Sequence, residues 1–178
     1  MTALIVRLTK ALPLMESWIR DLHATHASRA QPVSCLGFQR LAEVWPRALL
    51  EEARAVPVAR VPYPPVSDLG LPELEEMAQA RWSGITFGHM YFVDESDTTE
   101  ATHFHELFHV VQWKALGVRD FLMTYALGVL THGYRQSPLE AIAFRLQAEF
   151  EAGVTRPGLV ETIATHARVV HARAQLEG

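Results

Sequence analysis

Apolar residues recur every three or four positions through most of the chain, which is the spacing of helices that bury one face. Segment 12–28 predicts the first helix, segment 34–54 predicts two short helices, and segment 71–82 predicts one more. The second half of the chain predicts four consecutive helices, at 98–116, 118–133, 138–152 and 157–174. We therefore expect a mostly helical protein.

Two stretches change to the pattern of strands. Val56 and Val58 alternate with other residues ahead of a proline-rich turn, which predicts a short strand. Segment 84–94, GITFGHMYFVD, is β-branched and aromatic and predicts the clearest strand, with Gly88 marking a bulge or a close approach of the backbone. The expected class is α+β: a small, mostly helical domain with a short sheet or hairpin, whose edge strand precedes the helix at 98–116.

Two of the predicted helices have recognisable ends. Asp97 and Glu100 form a capping pair at the start of 98–116, and Gly117 follows its last residue. Ser137 and Pro138 suit the N-cap and the first position of 138–152. Polar residues inside these segments can therefore be assigned to helix faces.

The helix at 98–116 carries the pattern H-E-x-x-H at His105, Glu106 and His109. Residues four apart share a helix face, so the two imidazoles can bind one Zn²⁺ ion. The ion would lower the pKa of a water molecule, and the glutamate between the histidines would accept its proton as a general base. This is the pattern of a zinc metallopeptidase.

A catalytic zinc needs a third protein ligand, and neither the glycine nor the third histidine of the longer H-E-x-x-H-x-x-G-x-x-H pattern is present. Glu140 is the best candidate, because it stands among apolar neighbours in the first turn of a helix. The alternative for Glu140 is a solvated position that favours the helix N-terminus. His132, His103 and His89 are the other candidate ligands, although His103 should point away from the metal.

Hydrolysis of a peptide bond also needs a hydrogen-bond donor for the oxyanion, and a surface for the substrate. Tyr134 and His132 lie in the loop that leads to Glu140, so either could supply the donor; for both, a place at the surface is the alternative. If the strand that begins at residue 84 is an edge strand, its backbone can pair with an extended peptide; the alternative is a plain core strand. The candidate substrate-binding residues are Gly84, Ile85, Thr86, Phe87 and Gly88.

Composition narrows the classes of function. The chain has 178 residues, of which 49% are hydrophobic, and a formal charge of −4, so nothing favours binding to nucleic acid. The length suits one domain, with a helical extension at 1–47, a core at 48–153 and a C-terminal helix at 154–178. The single cysteine, Cys35, excludes an internal disulfide and a multi-cysteine zinc site.

The compartment and the assembly state are less constrained. No apolar stretch is long enough to span a membrane, and the first residues lack the features of a signal peptide. We therefore expect a cytoplasmic protein without a membrane partner, with export by a specialised route left open. The sequence does not indicate an oligomeric state.

Three segments in order, GITFGHMYFV, HELFHVVQW and GYRQSPLEAIAF, resemble the signature of a bacterial zincin-like domain of uncharacterised function. Such domains are often associated with contractile injection systems and polymorphic toxins. The resemblance covers about residues 48–150 and implies a small fold of the gluzincin type.

The same resemblance implies roles for individual residues. It carries the metal ligands over to His105, His109 and Glu140, and the catalytic glutamate to Glu106. The chain departs from the family at Ile142, where a second glutamate is usual, and at position 137, where serine replaces asparagine. Loss of a second glutamate would impair the site if that residue were the ligand.

Two functions of different kinds follow. The first is a zinc-dependent peptidase or hydrolase whose substrate is a peptide or protein. The second is a binding, assembly or effector module that keeps the fold with little or no turnover, which the small size and Ile142 both permit. An exported toxin acting on a host protein is a further variant.

Overall fold

The structure is a computed structural model, and it describes residues 2–177. Its helices and strands, numbered in chain order, are α1 (Thr2–His26), β1 (Gln31–Pro32), α2 (Gln39–Val44), α3 (Arg47–Glu52), β2 (Arg54–Val58), α4 (Glu75–Gln79), β3 (Gly84–Phe87), β4 (Met90–Asp94), α5 (Glu100–Leu116), α6 (Val118–His132), α7 (Pro138–Glu151) and α8 (Leu159–Glu177). Helices dominate, and the strands form one small sheet. The predicted α+β class is confirmed.

The four strands form a mixed sheet in the order β1-β2-β4-β3. β2 and β4 pair in parallel, with Val56 opposite Phe92, while β3 and β4 pair antiparallel, with Thr86 opposite Tyr91. Parallel strands need a long crossover between them, which here contains residues 59–83 and β3. β3 lies at the edge of the sheet, as expected for the strand that begins at residue 84.

The single strand predicted at 84–94 is wrong, because the segment is a two-stranded hairpin. Gly88 has a φ of +67° and turns the chain between β3 and β4, so it forms a turn and not a bulge. This left-handed backbone conformation favours glycine. An unbroken apolar run hides such a turn, because both strands of the hairpin are largely buried.

The ends of two helices also differ from expectation. α1 begins at Thr2 and not near residue 12, and it continues through Pro13. Packing of Leu8 in an apolar cluster with α6 and the crossover supports this first half of the helix. The cap of α5 is Thr99, whose side chain accepts a hydrogen bond from the backbone N–H of Thr102, in place of the predicted pair.

Helix α5 lies at the centre of the molecule. It packs against β3 and β4, α7 and α8, and every residue from Thr102 to Trp113 is buried. Leu107 and Phe108 are fully enclosed. The polar members of the H-E-x-x-H pattern are therefore buried in protein, where each needs a partner.

In the described part of the chain, none of the helices combines the length and the apolar character that crossing a bilayer requires.

Candidate metal centre

His105, His109 and Glu140 meet inside the protein. The two histidines lie one turn apart on α5, and their Nε2 atoms are 3.0 Å apart. Glu140, in the first turn of α7, places one carboxylate oxygen 3.3 Å from Nε2 of His105 and the other 3.4 Å from Nε2 of His109. All three residues are buried. This buried cluster has the arrangement of a group that could hold a metal ion.

The tautomer of His109 follows from its neighbours. The side-chain amide of Gln112 donates to the backbone carbonyl of Leu139 at 3.0 Å, and a carbonyl can only accept. The amide oxygen of Gln112 therefore faces Nδ1 of His109, 2.8 Å away, and Nδ1 must carry the hydrogen. The Nε2 atom of His109 then offers its lone pair to the cluster.

His105 is held in the same way from another direction. Its Nδ1 lies 3.0 Å from the amide oxygen of Gln147, whose nitrogen lies 3.4 Å from a carboxylate oxygen of Glu151. A carboxylate accepts hydrogen bonds, so the amide nitrogen faces it and the amide oxygen faces the ring. Both histidines thus present Nε2, which is how metal-ligating histidines are usually oriented by a second layer of hydrogen bonds.

Electron-pair donors converge at the centre. Two imidazole lone pairs and a carboxylate face one another, and Oε2 of Glu140 is buried without a hydrogen-bond partner. Only a cation between these atoms, either a proton or a metal ion, removes the repulsion and satisfies the orphaned oxygen. The donor set therefore fits a metal ion.

The pKa shifts inside the cluster also favour a bound cation. Burial by itself would lower the pKa of His109, but the carboxylates of Glu140 and Glu106 outweigh it and raise that pKa to about 9. Burial would likewise raise the pKa of Glu140, yet His109 and His105 hold it well below its usual range. The centre thus attracts positive charge, and a metal ion that enters must displace the proton on His109.

Tyr125 is a supporting residue that the sequence did not indicate. Its hydroxyl donates to Oε1 of Glu140 at 2.7 Å, which fixes the carboxylate from the side of α6. No spacing rule links residues on different helices, so this contact could not be anticipated. Gln112, by contrast, could have been found, because it lies three residues after His109 and so shares its helix face.

Glu106 lies beside the cluster and is held by β3. The hydroxyl of Thr86 donates to Oε2 of Glu106 at 2.6 Å. Gly84 leaves room for the carboxyl group, because a Cβ atom there would lie 2.8 Å from Cδ of Glu106 and closer still to Oε1. Burial raises the pKa of Glu106, although the nearby histidines act against this effect.

No protein-family model, curated protein or solved structure matches this chain. Only the geometry of the cluster therefore indicates that it could bind a metal ion. Within residues 2–177, His105, His109 and Glu140 form the one group of three or more potential ligands of this kind. Three protein ligands leave a fourth position open on a tetrahedral metal, which is the arrangement of catalytic rather than structural sites.

The remaining histidines considered as ligands lie elsewhere. His103 is buried against Phe38, and its Nδ1 bonds to the hydroxyl of Tyr91, so it points away from the cluster as expected. His89 is exposed in the turn between β3 and β4. His132 is exposed at the end of α6 and does not line the cavity beside the cluster, so the structure does not bring it to the site.

Tyr134 does reach the site. It lines the same cavity as the three ligands and Glu106, and its ring packs edge-on against Trp82. Burial raises the pKa of its hydroxyl, and the carboxylates of Glu140 and Glu106 raise it further. The hydroxyl therefore keeps its proton and can act as a hydrogen-bond donor.

The predicted substrate-binding segment is only partly at the site. Gly84, Ile85, Thr86 and Phe87 line the cavity, whereas Gly88 lies in the hairpin turn outside it. Two backbone acceptors of this segment are already used: the indole N–H of Trp113 donates to the carbonyl of Thr86 at 3.1 Å, and Nε2 of His23 lies 2.9 Å from the carbonyl of Phe87.

The cavity itself extends well beyond the ligands. It has a volume of about 130 Å³, and its walls come from α1, the crossover 59–83, β3, α5 and α6. We call it the chamber. The ligands and Glu106 lie at one end of the chamber, and the rest of its wall is almost wholly apolar.

Proposed function

We propose that this chain is a zinc-dependent peptidase of the zincin-like kind. His105, His109 and Glu140 hold the metal, and Glu106 is the general base. The observation that carries the proposal is the fixed tautomer of both histidines, because Gln112 and Gln147 direct the two Nε2 atoms at one point beside the Glu140 carboxylate. Two nitrogens and one oxygen suit Zn²⁺ better than the oxygen-preferring Mg²⁺ or Ca²⁺.

When bound, zinc supplies Lewis-acid chemistry: it polarises a carbonyl oxygen and makes water more acidic. The residues of the chain carry out the proton movements. Glu106 takes a proton from the attacking water as the water oxygen bonds to the carbonyl carbon. It then delivers that proton to the amide nitrogen as the C–N bond breaks, so the products are a carboxylic acid and an amine.

The surroundings of Glu106 suit this double role. Thr86 occupies Oε2 with a hydrogen bond, which leaves Oε1, next to Gly84, to exchange the proton. Burial raises the pKa of the Glu106 carboxyl, so the group is a stronger base than an exposed glutamate, which suits the acceptance of a proton from water. Tyr134 supplies a neutral hydroxyl that donates to the oxyanion as charge develops there.

The test compares wild type with Glu106→Gln and His105→Ala. Metal analysis should find about one equivalent of zinc in wild type and in Glu106→Gln, and much less in His105→Ala. Mass spectrometry of a peptide library should find cleavage by wild type alone. Undiminished cleavage after complete removal of zinc, or by Glu106→Gln, contradicts the proposal. Zinc without cleavage by wild type would favour a binding or assembly module.

A further inference from the structure

The chamber joins the metal centre to the N-terminal helix. Its polar lining includes the three candidate ligands and Glu106, and its apolar lining includes Leu8, Ala11, Leu12 and Met15 of α1. These four residues are buried, whereas Leu14 on the other face of the same helix is 59% exposed. α1 therefore contributes a wall to the space that a substrate of the metal centre would enter.

The wall is apolar away from the centre. Among the described residues that line the chamber, the only ionisable side chains are those of the ligands, Glu106 and three tyrosines. The pKa of Tyr63 is raised to about 12 by burial, so this tyrosine is neutral. Away from the metal centre, a charged group placed in the chamber would lose its hydration without gaining a partner of opposite charge. The chamber thus selects apolar groups.

The size of the chamber limits which apolar groups can fit inside it. Its volume is about 130 Å³. An apolar cavity of about 150 Å³ binds benzene, so a space of this order holds an aromatic ring or a branched aliphatic group.

The α1 wall is fixed to the rest of the structure at several points. Leu8 and Ala11 pack in one cluster with Val66 and Leu71 of the crossover and Val129 of α6. At the surface, Arg7 donates to the backbone carbonyl of Gly70 at 3.3 Å and pairs with Glu73. The apolar positions on α1 are therefore held in place, and they set the dimensions of the chamber.

We propose that α1 is part of the substrate-binding site, and that Ala11, Leu12 and Met15 determine specificity by admitting an aromatic or branched aliphatic group beside the metal centre. In a peptide, this group is a side chain next to the scissile bond. That the group is a peptide side chain rests on the proposed peptidase function. Binding of aromatic or branched aliphatic groups by the chamber depends only on its own lining residues, and it can be tested without metal.

The experiment measures binding of benzene and of naphthalene to metal-free protein kept in chelator, by thermal shift and by NMR titration. Ala11→Phe fills the chamber, Met15→Ala enlarges it, and Leu14→Phe is the matched control on the exposed face of α1. Wild type and Leu14→Phe should bind benzene saturably, Ala11→Phe should bind it at least tenfold more weakly, and Met15→Ala should gain affinity for naphthalene.

Absence of saturable benzene binding by wild type overturns the proposal, and so does equal binding by Ala11→Phe and Leu14→Phe. If Ala11→Phe does not fold, Met15→Ala decides alone: an unchanged preference between the two ligands overturns the proposal. With zinc restored, Met15→Ala should also shift kcat/KM towards peptides with larger apolar side chains. Benzene binding without any cleavage would refute the peptidase and leave the chamber as an apolar binding site, so the two failures are distinguishable.

Discussion

The amide oxygen of Gln112 lies 2.8 Å from Nδ1 of His109, and this contact determines which nitrogen of the ring faces the metal centre. Gln112 is itself oriented by the backbone carbonyl of Leu139, at the start of α7. The helix that carries Glu140 thus helps to orient a ligand on α5. The two halves of the candidate centre are therefore linked by hydrogen bonds through Gln112, whether or not an ion is bound.

We expect Gln112→Met to weaken zinc binding about 10–100-fold, since loss of a residue that orients a ligating histidine has effects of this size. The side chains are similar in volume, so packing should change little. Competition with a fluorescent zinc chelator measures the affinity. The control is Gln136→Met, at an exposed position in the loop before α7. Equal affinity of Gln112→Met and wild type would show that the tautomer needs no such support.

Tyr125→Phe removes the hydrogen bond to Glu140 and should weaken zinc binding by about 1.5 kcal/mol, or roughly tenfold. The matched control is Tyr91→Phe, which removes a buried hydroxyl that bonds to His103 instead. Both variants should lose some stability, but only Tyr125→Phe should lose zinc affinity in the competition assay. A similar loss of affinity in both would indicate a general effect of destabilisation.

Gly84→Ala should lower kcat at least tenfold while zinc content stays at the wild-type level. The new methyl group would meet the Glu106 carboxyl and displace it from its hydrogen bond with Thr86. Steady-state kinetics and metal analysis of the same samples separate the two effects. Ser83→Ala, at the neighbouring exposed position, should behave as wild type. Normal turnover by Gly84→Ala would mean that the position of Glu106 is not critical.

Tyr134→Phe should lower kcat about 100-fold with little change in zinc content, as removal of an oxyanion donor commonly does. His132→Ala should leave kcat unchanged, because His132 is exposed and lies outside the chamber. Kinetics of the two variants distinguish between the two donors that the sequence suggested. The reverse pattern would place the oxyanion near the end of α6.

Stability should fall with acid because of His103. Burial lowers the pKa of His103 to about 4, against about 6.5 in an unfolded chain. Between these values the unfolded state binds more protons, so the contribution of neutral His103 to stability is complete above pH 6.5, and about 3 kcal/mol of it is lost as pH falls to 4. Urea unfolding of metal-free protein at several pH values measures this loss.

His103→Gln should show a shallower dependence on pH by this amount, while His132→Gln, at an exposed position, should keep the wild-type dependence. Parallel curves for wild type and His103→Gln would show that another group is responsible for the acid sensitivity.

The sequence was a good guide to the shared face of the two histidines and to the start of α7, although it placed the cap of α5 at the wrong residue. The i,i+4 spacing of His105 and His109 puts them on one face of α5, and Ser137 and Pro138 begin α7 where the pattern placed them. Glu140 could be selected because a carboxylate among apolar neighbours needs a partner. The fold class followed from the same periodicities.

Contacts between segments far apart in the chain could not be predicted from local spacing. Tyr125 reaches Glu140 from another helix, and the first half of α1 is stabilised by the crossover and α6, so neither could be read from local spacing. The hairpin turn at Gly88 was missed because strands buried on both sides lack the alternation that marks a boundary. The chamber, whose walls come from distant segments, gives no signal in the sequence at all.

Because β2 and β4 pair in parallel, a long crossover must connect them, and residues 59–83 of this crossover form part of the wall of the chamber. The candidate ligands lie on α5 and α7, whereas much of the apolar wall belongs to α1 and the crossover. Mutation can therefore reshape what the chamber accepts without touching the atoms proposed to hold the metal. Such a division lets descendants of one ancestral protein diverge in what they recognise while they inherit the same chemistry.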